Sequence, residues 1–316
     1  LAVYVADCTD FVESGYQELR QKLQKKQAPC LLVLTKLDLI SPQEAQDLQA
    51  RYLEALLVAK DDAASIDRLR TAICQQLEAL GDFDQGMMGG ILPEKSTVVM
   101  VVPVDSEAPR GRLILPQVQV IRECLDGNIK CMVVQEEELD DAIRDLRQVD
   151  LVVTDSQSFP YVSQHVPDSV PLVSFSILKA REKGDIRRFY RGVAAVEHLP
   201  DPARILVAEV CTHNHTDVDI GRVKIPHLLR QHTGKTLHFD FCSGQDFPED
   251  VSEYDLIIHC GGCMLTRANM VGRQDLCTRS GVPITNYGFL LAYLSGALER
   301  SAQILQDELQ ETSSTP

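Results

Sequence analysis

Cys30-Leu31-Leu32-Val33-Leu34-Thr35-Lys36-Leu37-Asp38 reads as an apolar strand running straight into a polar loop. Outward from it, the first 80 residues alternate apolar runs with helical patterns. Upstream lie a strand over Leu1 to Ala6 and a helix over Glu13 to Lys25. Downstream come a helix over Pro42 to Tyr52, a weak strand over Ala55 to Ala59 and a helix over Ile66 to Ala79. Strand and helix in strict alternation imply a parallel sheet.

The segment from Gly81 to Pro93, rich in Gly and Met and closed by proline, reads as a linker. A second alternating block follows, with strands over Thr97 to Val102, Lys130 to Val134, Leu151 to Thr154 and Pro171 to Ser174. Helices over Pro116 to Leu125 and Leu139 to Arg147 join the first three, with Pro116 in a first turn that tolerates it. Polar Glu182 to Arg188 and then Pro200-Asp201-Pro202 mark its end. The third block has strands over Arg204 to Val210, Thr236 to Phe241, Tyr254 to His259 and Pro283 to Asn286. Its helices are expected over Pro226 to His232, Leu265 to Arg279 and Tyr287 to Arg300. The expected fold is therefore α/β, three consecutive parallel-sheet units.

A chain of 316 residues, 44% apolar and 24% charged, has the make-up of an ordinary globular protein of two or three domains. Its net charge of −15 offers no broad attraction to phosphate backbones or anionic lipid, so neither nucleic acid nor a membrane is expected as a partner. The apolar runs are strand-sized, too short to span a bilayer. Ten cysteines are too few for a disulfide scaffold, and Cys8, Cys30, Cys74, Cys124, Cys131, Cys242 and Cys277 each stand alone in or beside apolar runs. Most are expected to be buried small hydrophobes, and a reducing cytoplasm fits best.

Thr35-Lys36-Leu37-Asp38 looks like the [NT]-K-x-D base-recognition element of GTPases. There a fixed carboxylate accepts two hydrogen bonds from guanine while the lysine stem packs on the base; adenine is rejected because it leaves a polar group unpaired. Val58-Ala59-Lys60, after the next strand, sits where a Ser-Ala-Lys base loop belongs, with Val in place of Ser. Thr35, Lys36, Asp38, Ala59 and Lys60 are thus the candidate base-binding residues. Phosphate machinery is missing from these 316 residues. No G-x-x-x-x-G-K-[ST] occurs, and Gly234-Lys235-Thr236 runs from helix into strand, the reverse of a P-loop. The first strand therefore reads as the continuation of a GTPase domain truncated at its amino end, and GTP hydrolysis by this chain is not expected.

Cys211-Thr212-His213 and His259-Cys260-Gly261-Gly262-Cys263 together gather three thiols and two imidazoles. Each half-motif follows or closes an expected strand, and the carboxyl ends of parallel strands form one edge, where the two can converge. Soft thiolates with imidazoles suit zinc or an iron–sulfur cluster, and spacing does not separate the two. The alternative is a Cys-x-x-Cys redox pair of thioredoxin type, which leaves Cys211 unexplained. Cys242 ends a strand on the same edge and is a weaker neighbour. His215, His227, His232 and His238 read as ordinary polar residues. No catalytic residue is assigned.

A GTPase half-domain, a middle α/β domain and a Cys-x-His…His-Cys-x-x-Cys domain, in this order, resemble the [FeFe]-hydrogenase maturation GTPases of the HydF family. The resemblance covers essentially the whole chain and includes Ala108-Pro109-Arg110-Gly111-Arg112-Leu113-Ile114-Leu115-Pro116-Gln117, Thr154-Asp155-Ser156-Gln157-Ser158-Phe159, Asp219-Ile220-Gly221-Arg222-Val223-Lys224-Ile225-Pro226 and Ile284-Thr285-Asn286-Tyr287-Gly288. It implies residues 1–80 as the second half of a GTPase domain, 94–195 as a dimerisation domain and 203–316 as a cluster-binding domain. It further implies a homodimeric scaffold holding a [4Fe–4S] cluster on Cys211, Cys260 and Cys263, with one exchangeable iron position. His213 and His259 are the candidates to occupy or tune that position. A transient di-iron precursor made by two radical-SAM maturases would be loaded there and passed to apo-[FeFe]-hydrogenase. GTP and Mg²⁺ would act as a switch in a full-length protein. The rival readings are an iron–sulfur or zinc enzyme acting at an open metal position, and a regulatory GTPase with structural zinc.

Overall fold

The computed structural model describes residues 1–25, 29–79, 86–104, 111–210, 220–244 and 246–310. The chain divides into two compact units, Leu1–Phe83 and Asp84–Pro316. Every strand pairing in both is parallel, in three separate sheets. Among the described residues no helix is long and apolar enough to cross a membrane.

In the first unit β1 (Ala2–Asp7), β2 (Cys30–Thr35) and β3 (Leu56–Leu57) lie in that order, in register Val5 to Val33 and Val33 to Leu56. The helices are α1 (Glu13–Lys25), α2 (Pro42–Arg51) and α3 (Ala63–Ala79). Ser41 and Glu44 close a capping box on α2, with Pro42 in the first turn. The strand expected over Ala55 to Ala59 shrinks to two residues because the Ala55 amide turns back to the Tyr52 carbonyl, at 2.9 Å. The helix α3 begins earlier than expected, since Asp62 Oδ1 accepts the Ala64 amide at 3.0 Å. Leu32, Leu34, Tyr16, Tyr52 and Cys8 make the core.

The second unit holds two four-stranded sheets. One has the order β5 (Lys130–Val134), β4 (Thr97–Val101), β6 (Leu151–Thr154), β7 (Leu172–Ser174), with α4 (Leu115–Asp126), α5 (Leu139–Asp145) and α6 (Phe159–His165) between strands. The other has the order β11 (Ile284–Asn286), β10 (Leu256–His259), β8 (Ala203–Glu209), β9 (Leu237–Ser243), with α9 (Ile225–Thr233) and α10 (Arg267–Ser280). Between the sheets run α7 (Phe175–Lys183) and α8 (Ile186–Gly192), and α11 (Tyr287–Leu294), α12 (Leu298–Ala302) and α13 (Gln306–Gln310) end the chain.

Glu182 to Arg188, expected to close a domain, instead spans the end of α7 and the start of α8. Ile177, Leu178 and Phe189 of these helices share one core with Met100 and Val153 of the first sheet and Leu206 and Ile257 of the second. Side chains stitch the same joint. Asn286 Nδ2 donates to the Ser176 carbonyl and Thr285 Oγ1 to the Phe189 carbonyl, both at 2.9 Å. Arg300 donates to the carbonyls of Ser163 and Val166 at 2.9 and 2.8 Å, tying α12 to the end of α6.

The expected linker is partly packed structure. Met87 and Met88 are buried, and their amides donate to the Glu123 carboxylate at 3.0 and 2.7 Å. Arg181, buried, reaches the Gly89 carbonyl at 2.7 Å and pairs with Glu308 at 2.6 Å. The helix expected over Tyr287 to Arg300 breaks after Leu294, where Gly296 takes a φ of 73° that side-chain-bearing residues avoid. Of the cysteines expected inside, Cys8, Cys124 and Cys277 are buried, Cys30, Cys131 and Cys242 are half-buried, and Cys74 is exposed.

Candidate metal centre

The carboxyl edge of the second sheet builds the site. The strand β10 ends at His259, and the Cys260 amide still donates to the Ala208 carbonyl of β8 at 2.9 Å, so Cys260 starts its loop in contact with the neighbouring strand. The chain then turns sharply. Gly262 adopts a φ of 68°, and the Leu265 amide closes the turn on the Gly262 carbonyl at 2.9 Å. The positive φ is what requires glycine; a Cβ at Gly262 would also meet Met270 Cε at 2.4 Å, the mobile end of a side chain that could shift aside. Thr266 Oγ1 accepts the Asn269 amide and caps α10, which leaves the Cys-x-x-Cys turn at the positive end of a 14-residue helix.

Cys260 and Cys263 are half-buried thiols on this turn. The Gly262 amide donates to Cys260 Sγ at 3.4 Å. Burial pushes the Cys263 thiol pKa up, and the nearby Lys179 ammonium pulls it back down. Lys179 is itself buried, with its ammonium held by Glu182 and Gln119, both at 2.5 Å. Residues 211–219 lie outside the described residues, and with them Cys211 and His213. Cys211 follows Val210, at the end of the strand that pairs with β10. Among the described residues no three His, Cys, Asp or Glu side chains converge, so the described donors are the two thiols alone. Two soft thiols on a glycine turn at a helix start fit zinc or an iron–sulfur cluster, given at least one more donor.

His259 is fully buried between two partners. Its Nε2 lies 2.8 Å from Arg273 Nη1 and its Nδ1 lies 2.8 Å from the Cys260 carbonyl. A guanidinium only donates, so Nε2 accepts and the ring proton sits on Nδ1, donating to that carbonyl. Burial pushes its pKa down to about 4 and keeps the ring neutral. Both nitrogens are therefore already engaged. Arg273 and Lys179 were missed in reading the sequence, although a signal for the first exists: Met270, Arg273, Gln274 and Cys277 form the buried stripe of α10. A guanidinium on a buried helical stripe needs a reason.

In the first unit the two candidate base loops are neighbours. Thr35 Oγ1 donates to the Ala6 carbonyl at 3.0 Å, and the Leu37 amide donates to the Val58 carbonyl at 3.2 Å. Lys36 takes a φ of 60° and places its ammonium 2.5 Å from Asp7, whose carboxyl that contact pulls down to about 2. Asp38 and Lys60 are exposed, and the Ala59 amide donates to Ser65 Oγ at 3.2 Å. Beside these loops a cleft of about 450 Å³ opens between Cys8, Leu39 and Glu44.

Residues 87–184 match the profile of the hydrogen maturase F dimerization domain, and residues 187–304 match that of the hydrogen maturase F tetramerization domain. No curated protein matches the chain. A solved NtrC family transcriptional regulator from Clostridium acetobutylicum aligns with 67% of this chain and 98% of its own, at 11% identity and a TM-score of 0.22, too weak a likeness to carry an argument. The two matched domains meet at residues 185–186, in the joint between the two sheets of the second unit, and cover over two-thirds of the sequence. The chain belongs to the HydF family of hydrogenase maturases.

Proposed function

We propose that this chain is a self-associating scaffold that holds a [4Fe–4S] cluster on Cys211, Cys260 and Cys263 and hands a di-iron precursor to apo-[FeFe]-hydrogenase. The observation that carries the reading is the Cys260-Gly261-Gly262-Cys263 turn at the carboxyl edge of a parallel sheet, inside a HydF-type domain. Bound there, a cluster with three cysteine ligands supplies one exchangeable iron position. The chain supplies the rest. The turn sets the separation of two thiols, and the amino end of α10 favours their negative charge. His259, engaged at both nitrogens, fits a supporting role under Cys260, which leaves His213 as the candidate for the exchangeable position.

The functional test loads the chain anaerobically with iron, sulfide and a di-iron precursor, removes free metal, and adds apo-hydrogenase. Hydrogen evolution is expected to appear with the loaded wild type and not with the cluster-free chain. Equal activation by both would sink the carrier reading.

Self-association has a surface to match. Among the described residues β5 pairs only with β4, and Met132 and Val133 on it are exposed, as are Val118 and Leu125 on the adjoining α4. An unpaired edge flanked by apolar side chains is a template for a second strand, and a second copy of the chain is the proposed occupant. Lysine at both Met132 and Val133 is expected to weaken the dimer by about tenfold or more, that is by about 1.4 kcal/mol of association free energy. Sedimentation equilibrium would show it, and an unchanged dimer would remove β5 from the interface.

The nucleotide is expected to depend on elements these 316 residues lack. Asp38 can read guanine, but nothing in the sequence cradles phosphates or Mg²⁺, so calorimetry with this chain is expected to show no micromolar GTP binding. Micromolar binding would overturn that expectation.

A further inference from the structure

Arg273 is 7% exposed, yet none of its described partners is anionic. Its Nη1 donates to His259 Nε2 at 2.8 Å, its Nη2 donates to the Gly244 carbonyl at 2.8 Å, and its guanidinium lies over the Phe247 ring at 4.7 Å. Among the described residues no carboxylate pairs with it. The other buried cations of the same unit are neutralised, Lys179 by Glu182 and Arg181 by Glu308. A buried charge without a counter-ion is costly, and a fold retains one where an anion is to be balanced.

Geometry links Arg273 to the candidate metal centre: its Nη1 holds His259 Nε2, and the other nitrogen of that ring donates to the carbonyl of Cys260, the first thiol-bearing residue of the turn, at 2.8 Å.

We infer that Arg273 is the fixed counter-charge of the metal centre, and that the same guanidinium holds His259 in the tautomer that braces the Cys260 carbonyl. The inference rests on the reading of an iron–sulfur centre at Cys260 and Cys263. It makes Arg273 a positioning residue with two separable effects. Its charge stabilises the more negative, reduced state of a thiolate-bound cluster. Its donors occupy His259 Nε2 and so withhold that nitrogen from iron.

Two substitutions in the full chain separate the effects. Arg273→Lys keeps the charge and loses the fork of donors; Arg273→Gln keeps a donor and loses the charge. Each is reconstituted anaerobically with iron and sulfide, checked for folding by thermal melting, and titrated by spectroelectrochemistry with EPR detection. Arg273→Gln is expected to bind the cluster and to lower the reduced-to-oxidised ratio at fixed potential by about tenfold, equal to ~59 mV for one electron. Arg273→Lys should stay close to wild type. A clustered Arg273→Gln with the wild-type potential would overturn the inference. If Arg273→Gln unfolds before loading, Arg273→Lys decides: a folded lysine variant that binds the cluster at the wild-type potential supports the charge role, and one whose potential has fallen by ~59 mV, a tenfold drop in the reduced-to-oxidised ratio, refutes it. Failure of the wild type itself to take up iron and sulfide would instead overturn the iron–sulfur reading, and this inference with it.

Discussion

Serine at Cys260 or Cys263 is expected to abolish stable iron and sulfide binding while leaving the chain folded. A neutral, hard hydroxyl replaces a soft thiolate, so the loss should exceed the roughly 10–100-fold that removal of an outer-shell partner costs a metal site. The fold is expected to survive because both thiols are half-buried on a turn whose geometry is set by Gly262 and by the Thr266 cap. Cys211→Ser should behave alike. Cys74→Ser, exposed in the first unit, is the control that should keep its iron. Iron and sulfide analysis after desalting reads the outcome, and full retention in all three single variants would eliminate the ligand assignment.

Alanine at Gly192 is expected to be among the most damaging small changes to the fold. A Cβ there would sit 1.9 Å from the Ile284 carbonyl oxygen and 2.5 Å from its carbon. Those atoms belong to β11, which is fixed by its pairing of Ile284 with Ile257 and cannot retreat as a flexible side chain would. Overpacking against side chains typically costs 1–3 kcal/mol, and a clash with main chain belongs at the top of that range, about 3 kcal/mol or more. The melting temperature of the second unit should then fall by roughly 6–12 °C. Gly272→Ala on α10 is the matched control: nothing lies within 4 Å of its Cβ, and alanine's helix propensity favours it by about 1 kcal/mol. A Gly192→Ala protein that melts with wild type would show that α8 does not pack on β11 as described.

Strands of three or more apolar residues were legible from the sequence because parallel strands covered by helices concentrate such residues; Lys130–Val134 and Leu151–Thr154 fall where they were expected. The short helices α6, α7 and α8 were not. Phe159–His165 is seven residues long, and the α7–α8 corner carries the charges of Glu182 to Arg188, so local composition suggested a boundary. Long-range burial decides that region: Ile177 and Phe189 are apolar anchors between two sheets, a fact no local window contains. The break after Leu294 was likewise hidden, since apolar periodicity continues past Gly296.

The Cys260-x-x-Cys263 segment, expected at the carboxyl edge of a parallel sheet, lies on a turn there. His259, next to it, was expected to occupy or tune the exchangeable iron position, because sequence does not show what its nitrogens bind. Arg273, 14 positions along the chain, supplies that answer only in three dimensions. Lys179 comes from another helix entirely, 84 residues before Cys263. The loops around Thr35 and Val58 were placed together correctly, and the Lys36 to Asp7 contact was beyond the reach of the motif.

Anaerobic reconstitution of the wild-type chain with iron and sulfide, followed by Mössbauer and EPR spectroscopy before and after adding cyanide, tests the central claim most directly. The expected result is one [4Fe–4S] cluster per chain, with an EPR signal that changes when cyanide enters an iron position not held by cysteine. A chain that takes up zinc in preference, or a cluster whose spectrum is indifferent to cyanide, would contradict it.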